Sequence, residues 1–210
     1  MPQKSVRSRV SAEEWETRVQ LAACYRLSAH YGWTDLIYTH ISARVPGPDE
    51  HFLLNPFGWM FYEITASNLI KVDIAGNIIG QTPPSIHKAG FLIHSAVHEA
   101  RPDVACVIHS HTRAGMAVSM TKCGLLPLSQ HAMLFHGRVA YHDSEGLALD
   151  MDEQARLATD LIRPNPAPHP YPPPPAHHSR PKAVALAPGI CAGLGSPPRC
   201  APESCTPRHQ

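Results

Sequence analysis

Two histidines separated by a single residue are the side chains best suited to chemistry in this sequence. His109 and His111 follow a short apolar run at 106–108, which is typical of a buried strand. Residues i and i+2 of a strand point to the same side, about 7 Å apart at Cα, so both imidazoles can bind one metal ion. The spacing fits equally a hydrogen-bonded histidine pair at a strand end, and both interpretations stay open.

Further candidate groups lie upstream of this pair. His87, His94 and His98 are spaced to share one face of a helix, where His94 is a candidate acid or base; a face lining a polar groove is the alternative. Ser42 and Arg44 lie on a predicted strand and are candidates for binding a carboxylate, because a guanidinium pairs with one in a bidentate way. A charge at a strand edge is the alternative for Arg44.

Alternating strand and helix patterns predict the elements that position these side chains. A capping box at 11–14 starts a helix that ends near Gly32, and strand-like runs follow at 36–45, 51–54, 69–74 and 77–79. A second helix runs from Ser85 to Arg101, followed by a strand at 104–109 and helices at 113–120 and 152–162. We therefore predict a layered α/β sandwich with a mixed sheet. The expected buried face of the first helix is Trp15, Val19, Ala22, Ala23 and Leu27.

Composition and charge narrow the class of protein. The chain carries 18 basic and 17 acidic residues, a net charge of +1, which predicts neither a nucleic-acid partner nor an anionic membrane surface. No run approaches the roughly 20 apolar residues of a membrane span, and the basic start lacks the apolar segment of a signal peptide. The six cysteines contain no Cys-x-x-Cys pair. We therefore expect a cytoplasmic protein with reduced thiols.

The composition changes sharply near residue 163. The chain has 22 prolines, many of them in the last segment, including the run at 172–175. Proline removes backbone donors and fixes φ, so we divide the chain into a body at 1–162 and a Pro-rich, disordered tail at 163–210. Three origins of the tail are open: an evolved linker, a recognition tail for proline-binding domains, and translation of the wrong reading frame.

The body resembles a known family over about residues 15–162. The segment "ARPDVACVIHSHTRAGMAVS" is similar to the signature of the class II aldolase/adducin family, where an Arg-Pro-Asp turn, a strand and His-x-His-[ST] occur in this order. Further matches are "LIYTHISARVPGPDEHFLLNPFG", "ITASNLIKVDIAGNI", "HKAGFLIHSAVHEARPDV" and "KCGLLPLSQHAMLFHGRVAYHDSEG". The chain is most similar to the adducin-like branch. The body is thus identified as the family's head domain, incomplete at its C-terminal side.

The resemblance implies a three-layer αβα fold and a homo-oligomer, usually a tetramer. It also implies Zn²⁺ or another divalent ion that polarises the substrate and stabilises an enediolate. His109 and His111 match two of the family's three histidine ligands. The third is expected near residue 174, where the sequence reads Pro-Pro-Pro, with His169, His177 and His178 nearby.

Two departures separate this sequence from the sugar-phosphate aldolases of the family. Gly90 stands where those enzymes have a catalytic Glu. Thr39-His40 and Phe57-Gly58 replace two turns that bind phosphate there, and only Ser85 is retained from a third. These changes argue against a phosphorylated sugar and place activity in question.

Two functions of different classes remain. The first is a metal-dependent lyase or isomerase acting on a small hydroxy-carbonyl or hydroxy-acid compound, with an ion at the histidine pair. Its pocket would be lined by Ser42, Arg44, Asn55, Ser85 and His94. The second is a non-catalytic, adducin-like oligomerising module associated with the actin cytoskeleton.

Overall fold

The structure is a computed structural model that describes residues 5–80, 85–121, 123–135, 138–143, 151–162 and 181–185. Its main sheet contains four strands: β1 (His40–Arg44), β2 (His51–Leu54), β3 (Ile70–Asp73) and β4 (Cys106–His109). Their order across the sheet is β3-β2-β1-β4. These positions agree with four of the predicted runs to within a few residues. The predicted strand at 77–79 is wrong, since only an isolated bridge between Ile78 and Val72 forms there.

The described pairings of this sheet are all antiparallel, where the sequence predicted a mixed sheet. β1 pairs with β2 and with β4, and β2 pairs with β3, each in antiparallel register. Short connections that reverse the chain lead from β1 to β2, and antiparallel pairing needs no crossover. The mixed-sheet prediction is corrected in this respect, and the α/β class stands.

Helices cover both faces of the sheet. Ile41 and Ala43 of β1 pack into one core with Leu21 and Tyr25 of α1 (Ala12–His30). The alternate side chains of β1 point away from α1, towards α2 (Lys88–Ala100), because successive residues of a strand face opposite sides. α1, the sheet and α2 thus form successive layers, as the predicted αβα fold requires.

The buried face of α1 differs from the predicted one. Val19 and Leu27 are 41% and 55% exposed. The helix instead buries Glu14, Arg18, Leu21, Ala22, Tyr25 and Ser28. Arg18 Nε donates to Glu14 Oε1 at 2.9 Å, and its Nη1 donates to a backbone carbonyl at 2.8 Å. The hydropathy pattern failed here because it cannot register which polar side chains find partners in the fold.

A second core forms where α2 meets the C-terminal part of the described chain. Ala96 and Val97 of α2 pack there with Leu157 and Leu161 of α5 (Met151–Ile162). Ala140 joins them from β5 (Val139–Asp143). The predicted helix at 152–162 is therefore present, and it packs against α2.

A short strand occurs within the predicted tail. β6 (Pro181–Ala185) pairs antiparallel with β5, so these five residues differ from the coil-like expectation. Proline at the first position of a strand is compatible with pairing. The remainder of 163–210, including the expected third histidine ligand and the point of the proposed frame change, lies outside the described residues.

Two further α-helices follow β4, and short 3-10 helices lie at Val6–Ser8 and Phe61–Glu63. α3 (Arg113–Ser119) follows β4 directly, and its N-cap Thr112 accepts a hydrogen bond from the Gly115 amide at 3.2 Å. α4 (Gln130–Met133) is a single turn. No helix within the described ranges is long and apolar enough to cross a membrane.

Candidate functional site

The histidine pair lies where β4 ends. His109 is the last residue of the strand and His111 follows two positions later, so both side chains project to the same side. Their Nε2 atoms are 3.1 Å apart. The two imidazoles therefore converge on one point, which is the geometry expected of two ligands to one ion.

Each imidazole of the pair is held through its other nitrogen. Nδ1 of His109 lies 2.9 Å from Nε2 of His40, and Nδ1 of His111 lies 2.8 Å from Oδ2 of Asp35. Histidine ligands of metal ions are commonly oriented in this way, by a partner on the nitrogen that does not bind the metal. His40 and Asp35 are thus the outer partners of the candidate site.

The hydrogen bonds continue inward from His40 between β1 and α2. Nδ1 of His40 lies 2.8 Å from Nε2 of His94, and Nδ1 of His94 lies 2.6 Å from the Ser42 hydroxyl. That hydroxyl lies 2.8 Å from Nε2 of His98. We call this hydrogen-bonded series the histidine chain. Its members, in order from the inside outward, are His98, Ser42, His94, His40, His109, His111 and Asp35.

Burial keeps the inner histidines neutral. It lowers the pKa of His40 to about 2, with further lowering from the neighbouring His109, His87 and His111. Burial likewise lowers the pKa of His94 well below its ordinary value, and that of His98 to about 3, where the Arg44 guanidinium adds to the effect. At neutral pH these three rings therefore each carry one proton.

Gly90 is required by the position of His40. A Cβ at residue 90 would lie 2.7 Å from Cδ2 and Nε2 of the His40 ring, closer than packed atoms allow. The His40 imidazole therefore occupies the space next to α2 that a side chain at position 90 would need. Positions 40 and 90, where the resemblance predicts departures from the aldolase pattern, are thus in direct packing contact.

The predicted site residues differ in their burial and in their hydrogen-bond partners. Ser42 is fully buried within the histidine chain, and His94 is 1% exposed with both ring nitrogens in hydrogen bonds. The acid/base role of His94 stays a prediction, and its hydrogen bond to His40 is its link towards His109. Asn55 is buried, with Oδ1 2.8 Å from the Tyr25 hydroxyl.

Arg44 and Ser85 complete the comparison with the predicted set. Arg44 donates to the backbone carbonyls of His98 and Val104, which ties β1 to the end of α2 rather than presenting a free guanidinium. Ser85 is exposed, and its carbonyl accepts the Phe57 amide at 2.9 Å. Of these two residues, Ser85 is the more exposed, and its role as a substrate contact stays a prediction.

Sequence reasoning missed His40 and Asp35. His40 alternates with Ser42 on β1 and faces His109 across the β1–β4 pairing, so the strand period carried a usable signal. Asp35 lies in an irregular segment after α1, and no local pattern marked it. Among the residues that the structure describes, no group of three or more His, Cys, Asp or Glu side chains is arranged to hold a metal ion.

Comparison with known proteins defines the class of this chain. The sequence profile of the Class II Aldolase and Adducin N-terminal domain matches residues 19–167. The chain therefore belongs to the class II aldolase and adducin family. This confirms the resemblance found in the sequence.

Relatives by sequence include both branches of the family. A Caulobacter vibrioides protein, provisionally named an aldolase class 2 protein, is 55% identical over 77% of this chain and 63% of its own length. Alpha-adducin of Rattus norvegicus is 49% identical over 69% of this chain and 20% of its own length. The chain thus spans less than two thirds of these relatives.

Solved structures agree with the fold. An aldolase II superfamily protein from Pseudomonas syringae is 63% identical, with a TM-score of 0.73 over 75% of this chain and 64% of that protein. L-fuculose 1-phosphate aldolase from Glaciozyma antarctica PI12 is 33% identical, with a TM-score of 0.61 over 77% of this chain and 62% of that protein. The class II aldolase fold is therefore shared.

Proposed function

We propose that this chain acts as a metal-dependent enzyme of the class II aldolase type. Its chemistry would be that of a lyase or isomerase on a small hydroxy-carbonyl or hydroxy-acid compound, carried out by a cytoplasmic homo-oligomer. The observation that carries the proposal is the convergence of His109 and His111, whose Nε2 atoms are 3.1 Å apart while each Nδ1 has a protein partner.

The donor set fits Zn²⁺ or another divalent ion. Zinc–nitrogen bonds of about 2.0–2.1 Å at a tetrahedral angle separate two ligand nitrogens by about 3.3 Å, close to the spacing of this pair. Catalytic zinc takes three protein ligands, and the third expected from the family lies outside the described residues. When bound, the ion would act as a Lewis acid on a substrate carbonyl or hydroxyl.

The protein residues around the pair have distinct tasks in this proposal. Asp35 and His40 fix the orientations of the two imidazoles, which keeps both Nε2 atoms directed at one point. Ser85 is exposed and is retained as the substrate contact, whereas Ser42, Asn55 and Arg44 act as supports behind the site. His94 exchanges protons with the site only by way of His40.

Metal analysis of the purified chain tests this function. After incubation with Zn²⁺ and desalting, we expect about one ion per chain, the stoichiometry of a single catalytic site. His109→Ala and His111→Ala should each lose the ion and keep their circular dichroism spectrum. His131→Ala, which removes an exposed histidine on α4, is the matched control and should retain the ion. Absence of zinc in the unaltered chain, or its retention by both site variants, would contradict the proposal.

A second function is favoured by a separate observation. Leu27, Tyr31 and Trp33 are 55%, 62% and 49% exposed along the end of α1 and the segment after it. Exposed apolar residues that lie together mark interaction surfaces. With the 49% identity to alpha-adducin, this supports a non-catalytic oligomerising module associated with actin. Co-sedimentation of zinc-free protein with actin filaments, compared with a Leu27→Ser variant, distinguishes this candidate from the enzyme.

A further inference from the structure

The histidine chain has a direction that the protons of its members must respect. A carboxylate only accepts hydrogen bonds, so Nδ1 of His111 carries the proton that is donated to Asp35. When His111 carries no second proton, its Nε2 atom presents a lone pair to Nε2 of His109 at 3.1 Å. The state of His109 then decides the polarity of every hydrogen bond behind it.

With every ring neutral, two arrangements of protons fit the same heavy-atom positions. In the first, His98, His94, His40 and His109 carry their protons on Nε2, so that His98 donates to Ser42, Ser42 to His94, and the series runs outward until His109 donates to His111. In the second, these four rings carry their protons on Nδ1, and every bond from His109 to His98 is reversed. Both arrangements leave His40, His94 and His98 neutral, in agreement with the lowered pKa values of these buried rings.

Each arrangement contains one mismatch, and the two mismatches lie at opposite ends. Nδ1 of His98 is buried and forms no hydrogen bond with proper geometry in the described part of the chain, although the Val104 carbonyl is near enough to raise its pKa. The outward arrangement directs a lone pair at that carbonyl. The reversed arrangement directs an N–H at it, but leaves two lone pairs facing each other between His109 and His111. A cation bound by those lone pairs removes the second mismatch.

We propose that the histidine chain couples metal binding at His109 and His111 to the tautomers of the buried histidines His40, His94 and His98. The inference rests on the proposed metal site. A divalent ion at the pair selects the reversed arrangement, with protons on Nδ1, and its absence selects the outward one. His40, His94, Ser42 and His98 are thereby positioning residues, which act on the ion only through His109.

The change from the outward to the reversed arrangement conserves the number of protons on the histidine chain. When the ion binds, the proton on Nε2 of His109 leaves to solvent. His40, His94 and Ser42 each pass one proton outward, to Nδ1 of His109, Nδ1 of His40 and Nδ1 of His94 respectively. His98 passes its Nε2 proton to Ser42 and takes one proton from solvent at Nδ1. One proton leaves and one enters, so the relay itself changes neither its charge nor its number of protons.

Nitrogen-15 NMR of the full-length chain, labelled at histidine, tests the coupling with Zn²⁺ alone as the probe. The ring nitrogen shifts distinguish the two tautomers, and we expect His40 and His94 to change from Nε2–H to Nδ1–H on addition of one equivalent. Zinc binding with unchanged tautomers overturns this inference and leaves the proposed function intact. Failure to bind zinc at all overturns both.

A matched pair of serine variants locates the coupling. Ser42→Ala removes the hydroxyl between His94 and His98, so the His98 tautomer should no longer respond to zinc while that of His40 still does. Its zinc Kd should rise by up to about tenfold, the lower range for loss of an outer partner. Ser95→Ala is the control, because Ser95 is equally buried on α2 but its hydrogen bonds go to Leu92 and Gln154, which are not members of the histidine chain. A response of His98 in Ser42→Ala equal to that in Ser95→Ala would contradict the relay.

Discussion

The two faces of the sheet bury polar side chains in opposite ways. Facing α1, Glu14 pairs with Arg18 at 2.9 Å and with Lys71 at 2.8 Å, so charges are buried together. Facing α2, the histidine chain buries neutral rings that satisfy one another through hydrogen bonds. Both arrangements solve the same problem, since an unpartnered polar group inside a protein is costly.

The two faces differ in the number of stable proton arrangements that each allows. An ion pair has a single stable state, because removing either charge leaves the other unpaired in a poorly solvated position. A series of neutral imidazoles has two states of equal charge, which differ only in where each proton sits. The α1 face is therefore suited to fixing the fold, and the α2 face to responding to what binds at its end.

The largest effect is expected from breaking the charged cluster. Glu14→Ala leaves Arg18 without its carboxylate in a position that is only 5% exposed, and we expect the free energy of unfolding to fall by about 3–5 kcal/mol. Urea denaturation followed by circular dichroism measures it. Glu16→Ala on the exposed side of the same helix is the control and should change stability by less than about 0.5 kcal/mol. Equal losses in the two variants would show that burial of the charge does not matter.

Crowding the histidine chain should have the next largest effect. Gly90→Ala places a methyl group against the His40 ring, and overpacking of this kind costs about 1–3 kcal/mol, although alanine normally favours a helix over glycine. His40→Asn in the same background should recover part of the loss. Urea unfolding of both single variants and the double variant gives a coupling energy, and a value near zero would contradict the contact.

Acid should destabilise the α2 face. The folded His98 has a pKa of about 3 against an ordinary value of 6.5, so between these values the unfolded chain binds one more proton. Stability should therefore fall, by about 1.4 kcal/mol per pH unit for this ring, as the pH drops from 6.5 towards 3. Arg44 and His94 are the charged and titratable groups that face it. Urea midpoints of the unaltered chain and His98→Gln across this range measure the slope, which should be smaller in the variant.

The smallest effect is expected on the outer side of α1. Leu27 is 55% exposed, so Leu27→Ala should change the free energy of unfolding by no more than about 0.5 kcal/mol. Leu21→Ala, on the buried side, should cost about 2–5 kcal/mol. Thermal unfolding at low protein concentration compares them. A larger loss of stability in Leu27→Ala than in Leu21→Ala would support the buried face that the hydropathy pattern predicted.

Much of the fold followed from local patterns. The N-cap at Ser11 was confirmed, with the Ser11 hydroxyl accepting the Glu14 amide at 3.1 Å, because capping depends on residues that are close in sequence. Four of the strand runs and the helices after Ser85 and Asp152 were placed for the same reason. The reciprocal half of the predicted capping box was not confirmed, since the Glu14 carboxylate accepts hydrogen bonds from Arg18 and Lys71. The antiparallel pairing and the buried face of α1 were not predicted correctly, since both depend on partners far along the chain.

For the site, the sequence by itself determined that His109 and His111 share a side, because the period of a strand is fixed by its backbone. Through the resemblance it also predicted that Gly90 and His40 depart from the aldolase pattern. Only the tertiary structure decided that these two positions are in direct packing contact, that Asp35 holds His111, and that His94 is enclosed between His40 and Ser42. Those relations join residues from four separate segments, and contact between distant segments is set by how the layers pack rather than by any local pattern.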